Sequence, residues 1–357
     1  MDREAEKRNS NVELLRIISM IMIIAHHYAY HGGFDFNINA GLFNKILVHI
    51  LSLGGKIGVN IFVLITGYYL YDSKFRLKKL VKLILEVLFY SIFCNILSFA
   101  RGMETLQTAT VCKMLFPITY SVYWFATSYI LLYIFSDFLN LAIRAMNQKK
   151  HRMLLILLII CSSIIPTVTS VQNPFADAGW LIIVYLIGAY IHKYPNKYFK
   201  CLKLNLMLTS LIVGILIVLV IIFEVCGLSI EDYNRYTAYF IELNKFPGLI
   251  CSMTFFMLFT NIKMRYCKVV NIIATSMFGV YLLHDHPITR QLLWGNLFKN
   301  NAYFTSDFLW LHAIVTIMSI LVIGVVIDKL RERLIERPLL LFYDRISKYL
   351  KLKVVIR

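Results

Sequence analysis

The apolar part of the chain opens with Asn11-Val-Glu13-Leu-Leu-Arg16-Ile-Ile-Ser-Met-Ile-Met-Ile-Ile-Ala-His26-His27-Tyr28. At 1.5 Å of rise per residue, about 20 such residues cross the roughly 30 Å hydrocarbon layer of a bilayer. A cleaved signal peptide has a shorter apolar stretch and a small-residue cleavage site. This run ends instead in two histidines and a tyrosine, so it reads as an uncleaved first span. Its charges need a reason, because an ionised side chain at bilayer depth costs about 3 kcal/mol on insertion scales.

Arg16 and His27 are separated by eleven helical steps of roughly 100°, about three turns plus 20°. They share a face and lie roughly 16 Å apart along the axis. His31 falls one turn beyond His27, and Glu13 one turn before Arg16, where it can pair with it. His26 points about 100° away from His27. A polar stripe therefore climbs from one membrane surface toward the other. Glu13 and Arg16 lie near an interface, where an ion pair or a snorkelling arginine needs no function, so both readings stand for them. His27 lies deeper, without that option, and is read as functional. His26 is read as packed or hydrogen-bonded.

Nine more apolar runs follow, at about 46–71, 80–99, 123–143, 153–171, 177–192, 206–226, 248–262, 269–288 and 309–328. With 59% hydrophobic and 16% charged residues the chain departs from soluble domains in the direction a bilayer demands. The expectation is an all-α polytopic bundle of about ten transmembrane helices, one membrane-embedded domain over 1–357. Most of the 37 Lys and Arg fall in 1–11, 72–79, 144–152, 193–205, 263–268 and 329–357. These alternate segments are cytoplasmic by the positive-inside rule, which puts both termini in the cytoplasm. The other side holds Lys45, Arg101, Lys113, Arg235, Lys245, Arg290 and Lys299. The net charge of +17 then reflects topology and contact with anionic membrane lipid, not nucleic acid.

Seven scattered cysteines without a C-x-x-C define neither a disulfide framework nor a zinc site. Within the basic tail 329–357, the apolar run Leu339 to Tyr343 reads as a helix lying along the inner surface. The outer loops 227–247 and 289–308 carry Asp232, Tyr233, Tyr236 and Trp294. Such groups suit sugars, and tyrosine and tryptophan also collect at interfaces without any ligand.

The run Asn11 to Arg16, continued to His27-Tyr28, resembles the opening of the acyltransferase-3 family, with Glu13 where that family more often has Asp. Gly58-Val-Asn-Ile-Phe-Val-Leu-Ile-Thr-Gly67-Tyr68 resembles its second-span pattern, with Thr66 where Ser is commoner. The basic run Phe75-Arg76-Leu77-Lys78-Lys79, then Tyr123-Trp124-Phe125, Tyr281-Leu-Leu-His284 and Glu336-Arg337-Pro338 follow in the family's order. The short loops and His284-Asp285-His286-Pro287 look most like the branch acting on surface polysaccharides.

The resemblance implies O-acetyl transfer from cytoplasmic acetyl-CoA to a hydroxyl of a cell-surface polysaccharide or its lipid-linked precursor. It also implies a bacterial cell membrane. Acetyl-CoA enters as donor substrate, and no bound cofactor is expected. Arg16, paired with Glu13 and helped by Arg76 and Lys79, would hold the anionic donor. His27 would act as general base, since imidazole titrates near neutrality. Trp124, His284 and Asp285 fall on the acceptor side: Asp285 as orienter of a histidine and His284 as a second acid–base group, or the His284-Asp285-His286 stretch as a wet structural end of the ninth span. For an oxyanion donor, Asn60 and a span-terminal backbone N–H are the options. No metal site is expected, because His284 and His286 at i, i+2 do not share a helix face. A transporter or flippase of a lipid-linked sugar is the other reading of ten spans with intramembrane charge. Its usual mark, matching Gly- or Pro-broken helices in two halves, is absent.

Overall fold

The computed structural model describes residues 9–102, 107–169, 176–225, 239–240 and 242–349. Among them there is no strand. Seven helical runs are long and apolar enough to cross a bilayer: Ser10–Tyr30, Leu42–Leu70, Leu77–Ala100, Trp124–Ala145, Gln148–Thr169, Leu202–Val225 and Leu309–Ile346. The other three expected runs are also helical but shorter, Asp177–Lys193, Phe246–Asn261 and Lys268–His284. The protein is an all-α polytopic membrane bundle. Asp232, Tyr233 and Tyr236 lie outside the described residues.

In chain order the elements are α1 (Ser10–Tyr30), α2 (Leu42–Ser52), α3 (Gly54–Leu70), α4 (Leu77–Ala100), α5 (Thr108–Leu115), α6 (Trp124–Ala145), α7 (Gln148–Ile159) and α8 (Ile165–Thr169). They continue with α9 (Asp177–Lys193), α10 (Leu202–Val225), α11 (Phe246–Asn261), α12 (Lys268–Ala274), α13 (Met277–His284) and α14 (Pro287–Arg290). The last two are α15 (Leu309–Arg331) and α16 (Arg337–Tyr349).

Hydrogen bonds place the start of α1 with the ends of α3 and α11. Asn9 Nδ2 donates to Tyr69 Oη (3.2 Å) and Asn11 Nδ2 to the Phe259 carbonyl (2.8 Å). The ends of α6 and α9 meet there in the same way, Lys193 Nζ donating to the Ile143 and Met146 carbonyls at 2.7 and 2.9 Å. This is the basic end of the bundle. At the far end the Asn300 side chain donates to the Tyr28 carbonyl (3.2 Å) and Asn44 to that of Phe304 (2.8 Å).

α3 is the centre, packed on α1 and α9. Its Gly67 and Gly188 of α9 let the two backbones touch: a Cβ on Gly67 would run into the Tyr185 backbone, and one on Gly188 into the Leu64 carbonyl. Small residues at such crossings are how membrane helices gain close packing. Gly67→Val is expected to lower stability by about 1–3 kcal/mol through overpacking against backbone that cannot rotate away. The thermal midpoint of the detergent-solubilised protein checks this. An unchanged midpoint would mean that α3 and α9 can separate freely.

Proline breaks the fifth run. Pro166 has no N–H for the Ser162 carbonyl one turn earlier, and a π-turn spans Ile160–Ile164 just before it. The freed Ser162 carbonyl accepts from Asn244 Nδ2 at 2.9 Å. The ninth run, expected as one span over 269–288, is broken twice. α12 ends at Ala274, and α13 stops at His284 ahead of Pro287. In the tail, α16 is helical as read from its apolar run, with Leu339, Leu341, Phe342 and Ile346 exposed.

Candidate active site

The second break in the ninth run sets the site. Where α13 stops, His284 and Asp285 meet the far end of α1. His284 Nδ1 lies 2.6 Å from the Val280 carbonyl, and its Nε2 lies 2.9 Å from His27 Nδ1. A carbonyl only accepts, so the His284 proton sits on Nδ1 and its Nε2 is an acceptor. His27 therefore donates from Nδ1, and the neutral His27 ring keeps its lone pair on Nε2. That nitrogen lies 3.5 Å from Asp285 Oδ1. Asp285 Oδ1 in turn accepts from Arg290 Nε (3.1 Å) and Nη2 (2.7 Å). The result is an ordered relay, Val280–His284–His27, ending in a basic nitrogen beside a fixed carboxylate.

This end of the ninth span is buried: His284 is 0% exposed and Asp285 1%. His286 is the helix cap of α14, its Nδ1 accepting from the Ile288 amide at 3.2 Å. His26 donates to the Ser52 carbonyl at 2.8 Å, the structural role read for it. Asn60 accepts from Trp180 Nε1 (2.9 Å) and donates to the Leu243 carbonyl (3.0 Å). These two bonds fix the amide's orientation and commit one of its two N–H donors. Trp294 is not a surface group but is wholly buried, its ring edge-on to Tyr28 and His284.

Tyr123 and Phe125 pack on Tyr281, and Tyr123 also meets His286. Their neighbour Trp124 lies under Lys56, the ammonium 4.7 Å from the ring centre. Lys56 lies within electrostatic range of Asp285 and Arg290. His31 brings its Nε2 to 3.9 Å from Asp285 Oδ1. Ligand atoms of His27, His31 and Asp285 thus lie within 4.8 Å of one another, a grouping sequence separation concealed. The Arg290 guanidinium already takes the cation position on that carboxylate, with Lys56 nearby, an unfavourable setting for a divalent ion.

Toward the basic end on the same helix, Arg16 Nε lies 3.7 Å from Glu13 Oε2, long for a hydrogen bond. Both atoms are buried without a hydrogen-bond partner among the described residues, and Arg16 remains one third exposed. Arg76 and Lys79 gather on a different group. Tyr133 Oη donates to the Arg76 carbonyl at 3.2 Å, and the Lys79 ammonium sits over the Tyr133 ring. Beneath α13, Arg331 is buried among Glu86, Asp328 and Glu336. Of these four, sequence reading singled out only Glu336, within the Glu336-Arg337-Pro338 signature.

A family model described as an acyltransferase domain matches residues 9–328, nearly the whole chain and every site residue above except Arg331 and Glu336. No curated protein and no solved structure matches the chain. With matched sequence and an all-helical membrane bundle in agreement, the chain belongs to the acyltransferase-3 family and is a multi-pass membrane acyltransferase.

Proposed function

We propose that the protein is an O-acetyltransferase of a bacterial cell membrane, with ten spans and both termini cytoplasmic. In this reading it takes acetyl from acetyl-CoA at the basic end and esterifies a hydroxyl of a surface polysaccharide or its lipid-linked precursor at the far end. The observation that carries the reading is the lone pair of His27 Nε2, oriented by the His284–Val280 relay and set 3.5 Å from Asp285.

The chemistry follows from that lone pair. His27 Nε2 takes the proton of the sugar hydroxyl as the oxygen attacks the thioester carbonyl. The imidazolium so formed is stabilised by the Asp285 carboxylate, which Arg290 holds in place. The C–S bond then breaks, the proton passes from His27 to the thiolate, and the products are the sugar acetate and CoA. Arg16 stands roughly 16 Å below His27, too far to touch the reacting carbonyl. Its partly exposed guanidinium suits the anionic donor near the basic mouth, with Arg76 and Lys79 further along that end.

The test is the acetyl content of the surface polysaccharide by NMR, in a deletion strain and in the same strain carrying the wild-type gene. Loss on deletion and return on complementation are expected. Unchanged acetyl content, with polysaccharide failing to reach the surface, would overturn the reading in favour of a flippase.

A further inference from the structure

We infer that the acceptor sugar carries an anionic group, a carboxylate or a phosphate, close to the acylated hydroxyl, and that Lys56 and the outer edge of Arg290 receive it. This rests on the acyltransferase reading above and adds the acceptor's charge class.

Lys56 is the third residue of α3, at the far end, and its side chain is only partly exposed. Among the described residues no carboxylate lies within ion-pair distance of its ammonium; its close neighbour is the Trp124 ring at 4.7 Å. Three carboxylates act on it from farther away: Asp285, Asp177 and Glu242. Two of them have nearer partners. Asp285 is held by Arg290 at 2.7 Å, and Glu242 lies 3.5 Å from Lys245. The third, Asp177, sits exposed in the first turn of α9, where the helix N-terminus favours a negative charge. Among the described residues Lys56 is thus a partly desolvated cation without a counter-ion, an arrangement that is costly unless something anionic arrives.

Arg290 supplies the second half. It spends Nε and Nη2 on Asp285 Oδ1, and its side chain stays 31% exposed. Nη1 therefore remains for another acceptor, and a guanidinium edge suits carboxylate and phosphate alike. Lys56 lies within electrostatic range of Arg290, Asp285 and His27, and Arg290 holds the same Asp285 that stands 3.5 Å from His27 Nε2. Trp124 adds a flat amphipathic face under the ammonium. A sugar lying on that face with its anion between the two cations places a neighbouring hydroxyl toward His27.

The test uses the full chain in lipid nanodiscs and three probes: an oligogalacturonate, its neutral methyl ester, and a phosphodiester-linked oligosaccharide. Equilibrium binding and transfer of radiolabelled acetyl from acetyl-CoA are both read. Wild type is expected to bind one of the anionic probes about tenfold or more tightly than the neutral ester, the worth of one charge-assisted contact. The arm that shows the preference tells carboxylate from phosphate. Lys56→Met is expected to collapse the preference to about unity, Lys56→Arg to keep most of it, and Lys113→Met, on exposed α5, to leave it intact. No preference for either anion, or a preference that survives Lys56→Met, overturns the inference. So does an equal loss of turnover on acidic and neutral acceptors, which would put the ammonium on the reaction centre instead. A Lys56-dependent preference in binding without any acetyl transfer would leave the anion site standing and sink the transferase reading.

Discussion

His27→Ala is expected to lower acetyl transfer by about 10²–10⁴-fold, the usual worth of a positioned general base, with little change in KM for acetyl-CoA. The donor's anionic end is assigned to the other end of α1, so losing the imidazole removes proton transfer and leaves donor capture in place. His284→Ala should fall less, by about 10–10²-fold, because it leaves the base present but frees its tautomer and ring orientation. The ordering is the informative part. A base held by a relay loses most when the base goes and a lesser share when its holder goes. Single-turnover transfer in nanodiscs, with both variants at matched protein levels, measures it. Should His27→Ala keep more than a tenth of the wild-type rate, or should His284→Ala be the more damaged, then His27 is not the group that takes the proton.

The membrane class was legible because a bilayer demands long apolar runs and little else produces them. The first-span stripe was legible for a similar reason: helical geometry alone places Arg16 and His27 on one face. What the sequence concealed are meetings between distant residues. His27 and His284 are 257 positions apart, and no local pattern states that His27 Nδ1 lies 2.9 Å from His284 Nε2. The breaks are a second case. Pro166 and Pro287 announce interruptions, but where the freed carbonyl of Ser162 finds its donor depends on Asn244, which belongs to another part of the bundle. Trp294 misled because aromatic residues in outer loops are common at interfaces, whereas here the ring is buried behind His284. Lys56 was hidden for a different reason. A lysine near a span end is ordinarily a snorkelling cation, and only the structure shows its ammonium over Trp124, away from any counter-ion among the described residues.

Arg331→Met is expected to destabilise the bundle by about 3–5 kcal/mol, the usual cost of leaving buried charges unpaired. Arg331 is 4% exposed and reaches three carboxylates: Glu336 at 2.6 Å, Asp328 at 3.0 Å and Glu86 at 3.3 Å. Without it, Lys82, 2.8 Å from Glu336, is the one cation among the described residues that would remain in an ion pair with them. The consequence reaches the site through packing. Tyr90 Oη donates to Asp328 Oδ1 at 3.1 Å, and Gly279 of α13 lies so close to both groups that a Cβ there would strike them. Residues of α4 and α15 thus form the floor on which α13 rests, and α13 ends in His284. The Glu336-Arg337-Pro338 signature is far from the chemistry, and its glutamate serves it by holding that floor. Two measurements separate this from a catalytic role: the thermal midpoint, and the specific rate of whatever fraction remains folded. The expected pattern is a large drop in midpoint, partly recovered by the double change Arg331→Met with Glu86→Leu, because removing one orphaned carboxylate removes part of the penalty. Lys82→Met, at a half-exposed position, should cost far less. A wild-type midpoint in Arg331→Met would mean that the carboxylates tolerate one another without it. The floor under His284 would then have to be held by packing alone.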